Sequence, residues 1–265
     1  MTSKQAVLTL YKNHGETPLE CLERFKKDNP EYLNDKMTYA GRLDPLAEGL
    51  LLILVGEECK NKEKYLGFDK EYEVDVLFGF STDTYDILGK VTKSFTDFVI
   101  PAKAGIQADS INLDSRLRGN DTINELLNSF VGRFSQKYPA YSSKFFNKAR
   151  RGELKDEEIS EKVVEIKSIQ IVGEKTIPKI DLKKYIEESI TLVKGNFRQE
   201  EILKNWKFAM ANFQPEEYNF SVFSLRVSCT SGTYMRSLAN SIGKKAGIPA
   251  LALNIKRTRV GKYKI

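Results

Sequence analysis

The chain has 265 residues, 41% of them hydrophobic and 29% charged, and lysine plus arginine exceed aspartate plus glutamate by 42 − 36 = 6. This is enough apolar content to bury a core, which excludes a disordered chain, and the length suits one large domain or two small ones. The basic excess fits an anionic partner such as nucleic acid, although many proteins without one are equally basic. Cys21, Cys59 and Cys229 are far apart and form no CxxC pair, which argues against a disulfide framework or a zinc site and favours a reducing cytoplasm. One histidine, His14, leaves little room for a Ser-His-Asp triad or a His-rich metal site, so catalysis has to rest on carboxylate, Tyr, Lys or Arg. The N-terminal apolar run is too short for a signal segment, and the longest apolar stretch, Leu50 to Val55, is only strand-length, so no membrane span is expected.

In chain order, Ala6 to Tyr11 reads as a strand, and Thr17-Pro18-Leu19-Glu20 as the start of a helix running to about Lys27. Leu50 to Val55 reads as a buried strand. Lys70 to Phe80 alternates, with Tyr72, Val74, Val76 and Phe78 on one face, and a polar turn follows at Ser81 to Thr84. From about residue 98 to residue 122 no period survives, and a surface insertion is expected there. Short helices are expected at 124–130 and 156–164, a strand at 163–171, and a mostly helical stretch at 181–212 broken at Gly195-Asn196. A strand at 218–229, a helix at 234–246 and a last strand at 251–259 complete the chain. Strands and helices mix without a regular βαβ repeat, so the expected class is α+β.

The segment Gly41-Arg42-Leu43-Asp44-Pro45-Leu46-Ala47-Glu48-Gly49 stands out chemically. Pro45 restricts Asp44 to extended backbone. Leu43, Leu46 and Leu50 are expected to hold the loop against a core, leaving a partly desolvated carboxylate that can serve as nucleophile or base if a cation keeps it ionised. Taken alone, Asp-Pro more often begins an ordinary turn.

The longer string resembles the catalytic loop of the TruB family of tRNA pseudouridine-55 synthases. Two further blocks occur in the family's order. Lys70-Glu71-Tyr72-Glu73-Val74, followed by Gly79 and Ser81-Thr82-Asp83-Thr84-Tyr85-Asp86, is similar to its second motif, and Cys229-Thr230-Ser231-Gly232-Thr233-Tyr234-Met235-Arg236-Ser237-Leu238-Ala239 to its third. Pro139-Ala140-Tyr141-Ser142-Ser143-Lys144 resembles another family segment. The resemblance spans nearly the whole chain outside the insertion. It implies a pseudouridine synthase fold, a mixed and mainly antiparallel sheet flanked by helices and loops. It also implies a cytoplasmic, monomeric enzyme acting on the T-arm of tRNA without metal or other cofactor. Asp44 would be the catalytic carboxylate and Arg236 its counter-ion. Tyr72 would stack on a flipped uracil, Tyr234 and Ile255 would line its pocket, and Tyr39 stands where the family usually has a histidine. Singly, each of these residues is as readily core or solvated surface, and only their joint spacing argues for a site. The same chemistry directed at ribosomal RNA, or an RNA-binding protein without catalysis, are the alternative readings.

The chain departs from the pattern at Lys12-Asn13-His14-Gly15, where the family has Lys-Pro-x-Gly, and at Asn240, where an acidic residue is common. One catalytic domain over 1–265 is expected, without the C-terminal RNA-binding PUA domain of many relatives. The basic runs at 148–151 and 256–262 are expected to add phosphate contacts in its place.

Overall fold

The computed structural model describes residues 5–95, 120–142, 148, 153–213 and 216–265. The strands are β1 (Val7–Lys12), β2 (Met37–Ala40), β3 (Ala47–Val55), β4 (Lys70–Phe78), β5 (Phe80–Thr82), β6 (Val91–Ser94), β7 (Gly132–Lys137), β8 (Glu161–Pro178), β9 (Asn219–Cys229), β10 (Ala250–Val260) and β11 (Tyr263–Lys264). The helices are α1 (Pro18–Asp28), α2 (Lys62–Leu66), α3 (Asn120–Asn128), α4 (Lys179–Leu192), α5 (Gln199–Asn212) and α6 (Met235–Ala246). Among the described residues nine strands form one sheet in the order β1-β3-β10-β4-β9-β8-β7, with β2 on β3 and β11 on β10. Its pairs are antiparallel except β3–β10, which is parallel over Ala47–Gly49 and Ile255–Arg257. This is the α+β, mixed and mainly antiparallel architecture expected from the sequence.

The unbroken apolar run of β3 has a direct cause. Leu50, Leu52 and Leu54 pack with Ala40, Tyr65 and Val260, while Leu51 and Ile53 face the other way onto Cys21 and Leu22 of α1. A strand buried on both faces has no reason to alternate. Helix α1 starts as its sequence predicts: the Thr17 side chain accepts from Glu20 N, and the Glu20 carboxylate accepts from Thr17 N, a reciprocal capping box with Pro18 in the first turn.

Three expectations are corrected. The helix expected at 156–164 is a single 3-10 turn at Asp156–Glu158, and the chain is a strand from Glu161 onward. Val163 and Val164 pair with Ser135 and Phe134 of β7, so the ladder overrides the local helical preference of the Glu and Lys residues. Strand β3 begins at Ala47, not at Leu50, because β10 pairs with its first three residues. Phe80 to Thr82 is a short strand on β6, so the turn opens at Asp83, two residues later than expected, and carries Asp83 to Gly89. The insertion expected at 98–122 lies outside the described residues except for its last three positions, which fall in α3.

Gly49 marks a close approach between β3 and β10. It sits at φ +105°, and a Cβ there would lie 2.4 Å from the Arg257 carbonyl oxygen. A side chain is barred both by backbone conformation and by the β10 main chain. Gly49→Ala is therefore expected to destabilise the protein by about 3 kcal/mol or more, a fall in Tm on the order of 10 °C. A thermal melt checks it, and an unchanged Tm would show that β3 and β10 are not in this register.

Candidate active site

The loop 41–46 leaves β2 and re-enters the sheet as β3, and two buried cations fix its backbone from opposite sides. Arg257, 1% exposed, donates from Nε to Leu50 O (2.8 Å), from Nη1 to Arg42 O (3.2 Å) and from Nη2 to Gly41 O (3.4 Å). Lys12, fully buried, donates from Nζ to Asn13 O (3.0 Å), Pro45 O (3.1 Å) and Ala47 O (2.5 Å). Burial pulls the Lys12 ammonium down to about 8, against the opposing pull of nearby carboxylates including Glu16 and Asp44. Gly15 N adds a bond to Pro45 O (3.0 Å), and Ala47 N closes the turn onto Asp44 O (3.0 Å). Leu43 and Leu46 pack into the main core as expected, whereas Leu50 points into the separate cluster with Ala40 and Tyr65.

This scaffold presents Asp44 to a cavity of about 670 Å³, within the size range of small-ligand sites. Arg236, in the first turn of α6 and 3% exposed, donates from Nε to Asp44 Oδ2 (2.8 Å) and from Nη1 to Thr84 O (2.8 Å). Its Nε also lies 3.6 Å from Asp86 Oδ2. Burial alone would lower the guanidinium pKa, but Asp44 and Asp86 more than reverse this and raise it, so the buried cation stays charged. Asp86 is itself 7% exposed and accepts from Thr84 Oγ1 (2.5 Å) and Leu88 N (3.0 Å). Two carboxylates thus share one arginine, and both line the cavity, Asp44 being the more exposed of the two.

Burial, opposed first by Arg236 and then by the Thr84 hydrogen bond, pushes the Asp86 carboxyl up to about 6. A carboxyl whose proton is held more tightly folded than unfolded contributes stability that is complete below its ordinary value, 3.8, and is lost as pH rises through about 6. Asp86→Asn should therefore flatten the stability profile between those two pH values. The group's share there is about 3 kcal/mol, and chemical denaturation at a series of pH values measures it. An unchanged slope would place Asp86 in the ordinary carboxylate range.

The six residues singled out in the sequence, Asp44, Tyr39, Tyr72, Tyr234, Arg236 and Ile255, all line this one cavity. Tyr72 on β4 stands opposite Arg257 on β10 and opposite Val227 on β9. Burial raises its hydroxyl pKa, with Arg257 acting against that rise. Tyr234 is held at both backbone groups by Gln136 of β7, whose amide donates to Tyr234 O (3.1 Å) and accepts from Tyr234 N (2.8 Å), while Tyr138 packs edge-on against its ring. Ile255 faces Ala47 across the parallel pair. Tyr39 lies on β2 opposite Ile53, with the Lys62 ammonium 5.4 Å from its ring centre.

Sequence reasoning missed Lys12, Asp86, Gln136 and Arg257 as parts of the site. Arg257 is also a correction: placed in a basic run expected to touch phosphates, it is buried and spent on main-chain carbonyls. Its signal was a charged residue within the run of β10, and inside a sheet a cation survives only if its donors are satisfied. Of the other run, Arg150 and Arg151 lie outside the described residues, and Lys148 pairs with Glu158.

A mixed sheet carrying an aspartate–arginine pair and an opposing tyrosine in one cavity defines the class: an α+β protein with a carboxylate site built by three separated segments. The model of the TruB family pseudouridylate synthase N-terminal domain matches residues 30–197, more than half the chain. The chain belongs to that family. The tRNA pseudouridine synthase B of Borreliella burgdorferi is 28% identical over 261 residues, covering 97% of this chain and 70% of its own length. That of Aquifex aeolicus is 29% identical over 258 residues, covering 97% and 69%. Among solved structures, a chain of a Cbf5-Nop10-Gar1 complex superposes with TM-score 0.54 at 18% identity, and one of an H/ACA RNP bound to a substrate RNA containing 2'-deoxyuridine with 0.51 at 17%. Each covers 97% of this chain, which spans about half of theirs (49% and 48%), and the likeness is one of fold. No helix among the described residues is long and apolar enough to cross a membrane.

Proposed function

We propose that this chain is a tRNA pseudouridine synthase that isomerises uridine 55 in the T-arm, with Asp44 as nucleophile. The observation that carries the reading is the Asp44–Arg236 pair, 2.8 Å apart, at a cavity that Tyr72, Tyr234 and Ile255 also line. The reaction breaks the N1–C1′ bond of uridine and forms a C5–C1′ bond, while C5 loses a proton and N1 gains one. Nothing is added or removed overall, so no redox partner is required. Asp44 attacks the target nucleotide while the uracil detaches, turns and rejoins, and Arg236 holds the carboxylate in place. The target lies in a stacked arm and has to be flipped out to reach Asp44. Stacking on Tyr72 offsets part of that unstacking. The Tyr72 hydroxyl, beside Arg257, assists removal of the C5 proton. Tyr234 and Ile255 bound the uracil, and Tyr39 occupies the rim beside the loop.

The site relatives' names support tRNA as the substrate: those compared above are tRNA pseudouridine synthases B. The chain is taken to act as a monomer in the cytoplasm, as one catalytic domain and without a cofactor. A binder that had lost catalysis would have no use for a buried arginine shared by two carboxylates, since burying such charges costs stability rather than adding it. Pseudouridine mapping on total RNA from cells with and without this protein is the direct test. The expected result is loss of the T-arm signal alone, and identical maps would sink the assignment.

A further inference from the structure

Residues 179–218 interrupt a hairpin that is already complete. Strands β8 and β9 pair up to Pro178 and Asn219, and the helices α4 and α5 are inserted at that end. The pair packs into the main core through Leu182, Ile186, Ile190, Ile202, Trp206 and Met210. It also grips the turn between β5 and β6 at three places and the first residue of β6 at a fourth. Trp206 Nε1 donates to Ile87 O (3.1 Å), Val91 N donates to Asn205 Oδ1 (2.6 Å), Lys90 pairs with Glu201, and Arg198 pairs with Asp83. That turn is the one that supplies Arg236 with the Thr84 carbonyl and the Asp86 carboxylate.

The tip joining the two helices lines the same cavity as Asp44, through Asn196, Phe197 and Arg198. Arg198 is built with care. Its backbone is left-handed at φ 65°, uncommon and unfavourable for a residue with a Cβ. The tip is over-determined: Gln199 Nε2 donates to Val193 O (2.9 Å) and Gly195 O (2.7 Å), and its Oε1 accepts from Phe197 N (2.9 Å). Strain held in this way concentrates at functional sites. The Arg198 guanidinium donates to Asp83 Oδ2 (2.8 Å) and Oδ1 (3.4 Å) and lies over Tyr141, with Cζ 3.9 Å from the ring centre. Its side chain is 15% exposed, with both terminal nitrogens bonded to Asp83 and its cation set over Tyr141, so its charge is already paired within the protein.

We propose that the α4–α5 pair is a positioning element of the active site and that Arg198 is its positioning residue. Arg198 clamps Asp83 and Tyr141, which sets the 83–89 turn, and the turn in turn holds Arg236 in line with Asp44. The inference rests on the proposed pseudouridine synthase reading. It predicts an effect on the chemical step and not on RNA affinity.

The test uses the full chain and a tRNA transcript, with single-turnover pseudouridine formation and filter-binding Kd measured for each variant below its Tm. Arg198→Ala and Asp83→Ala are each expected to slow the step by about 10- to 100-fold with Kd within about threefold. The double variant should be no slower than the worse single, because both break one contact. Arg198→Lys should not restore the rate, since a point ammonium replaces neither the two-pronged bond nor the stacked plane. Lys194→Ala, on the same tip but paired across to Glu20 at 3.8 Å, should behave as wild type. Should Arg198→Ala fail to fold, Asp83→Ala and Arg198→Lys carry the test. A wild-type rate in the Arg198 variants, a loss seen only in Kd, or losses that multiply in the double variant would each overturn the proposal. Wild-type protein inactive on every tRNA would overturn the functional reading and this inference with it, whereas active wild type with an equally active Arg198→Ala overturns this inference alone.

Discussion

Asp44→Asn is expected to abolish product formation, with single-turnover rates at least about 10⁴-fold below wild type, while tRNA affinity stays within about threefold. The substitution keeps the shape and leaves one oxygen to accept from Arg236 Nε, but an amide is no nucleophile. The fold should tolerate it. Asp44 is 35% exposed in its side chain, and the buried Arg236 keeps Asp86 and the Thr84 carbonyl as partners. The pairing that matters is therefore between a chemical group at the cavity and a support behind it. Quantitative pseudouridine assays with matched binding curves separate the two quantities. Turnover above about 1% of wild type, a barrier change under about 3 kcal/mol, would remove Asp44 from the role of nucleophile.

Arg257→Met is expected to lower Tm by about 10 °C and to slow the reaction by about 100-fold. Methionine fills much of the space but donates nothing. The carbonyls of Leu50, Arg42 and Gly41 then lose their partner in a buried setting, at roughly 1–3 kcal/mol for the worst-placed of them. The loop loses its clamp on the β10 side and keeps Lys12 and the Gly15 N bond to Pro45 O on the other. Tyr72, which faces Arg257 across β4 and β10, loses its charged neighbour as well. Differential scanning calorimetry and single-turnover rates measured well below the new Tm distinguish the two effects. A variant with a lowered Tm but an unchanged rate would make Arg257 a packing residue with no part in shaping the site.

Both predictions turn on contacts of very different sequence separation, and that decides what could be read in advance. The residues that line the cavity could be grouped in advance because three blocks keep their own spacing: Asp44 in a loop stiffened by Pro45, Tyr72 on an alternating strand, Arg236 in the first turn of a helix after Gly232. The strands β4 and β9 and the helices α1 and α6 were legible for the same reason, since periodicity and capping act within a few residues. The segment 156–164 was misread because its Glu and Lys residues favour helix locally, and only pairing with β7, more than twenty residues earlier, makes it strand. Arg257 and Lys12 look like ordinary solvated basic residues until both are seen to converge on one loop's carbonyls. Asp86 stood in a quoted motif with no assigned role, because its partner Arg236 comes 150 residues later.

By itself, then, the sequence determined the local pieces: an extended Asp44 fixed by Pro45, apolar faces that commit β3 and β4 to a core, and an α+β class. What only the tertiary structure decided is the electrostatic wiring. Whether a buried cation is tolerable depends on which acceptors the fold brings within about 3 Å of it, and desolvation makes that a matter of several kcal/mol. Those acceptors come from β3, from the loop before it and from the turn after β5, all distant in sequence from Lys12, Arg236 or Arg257. Composition and periodicity carry no information about such meetings, because they are set by how the sheet orders its strands, with β10 placed between β3 and β4.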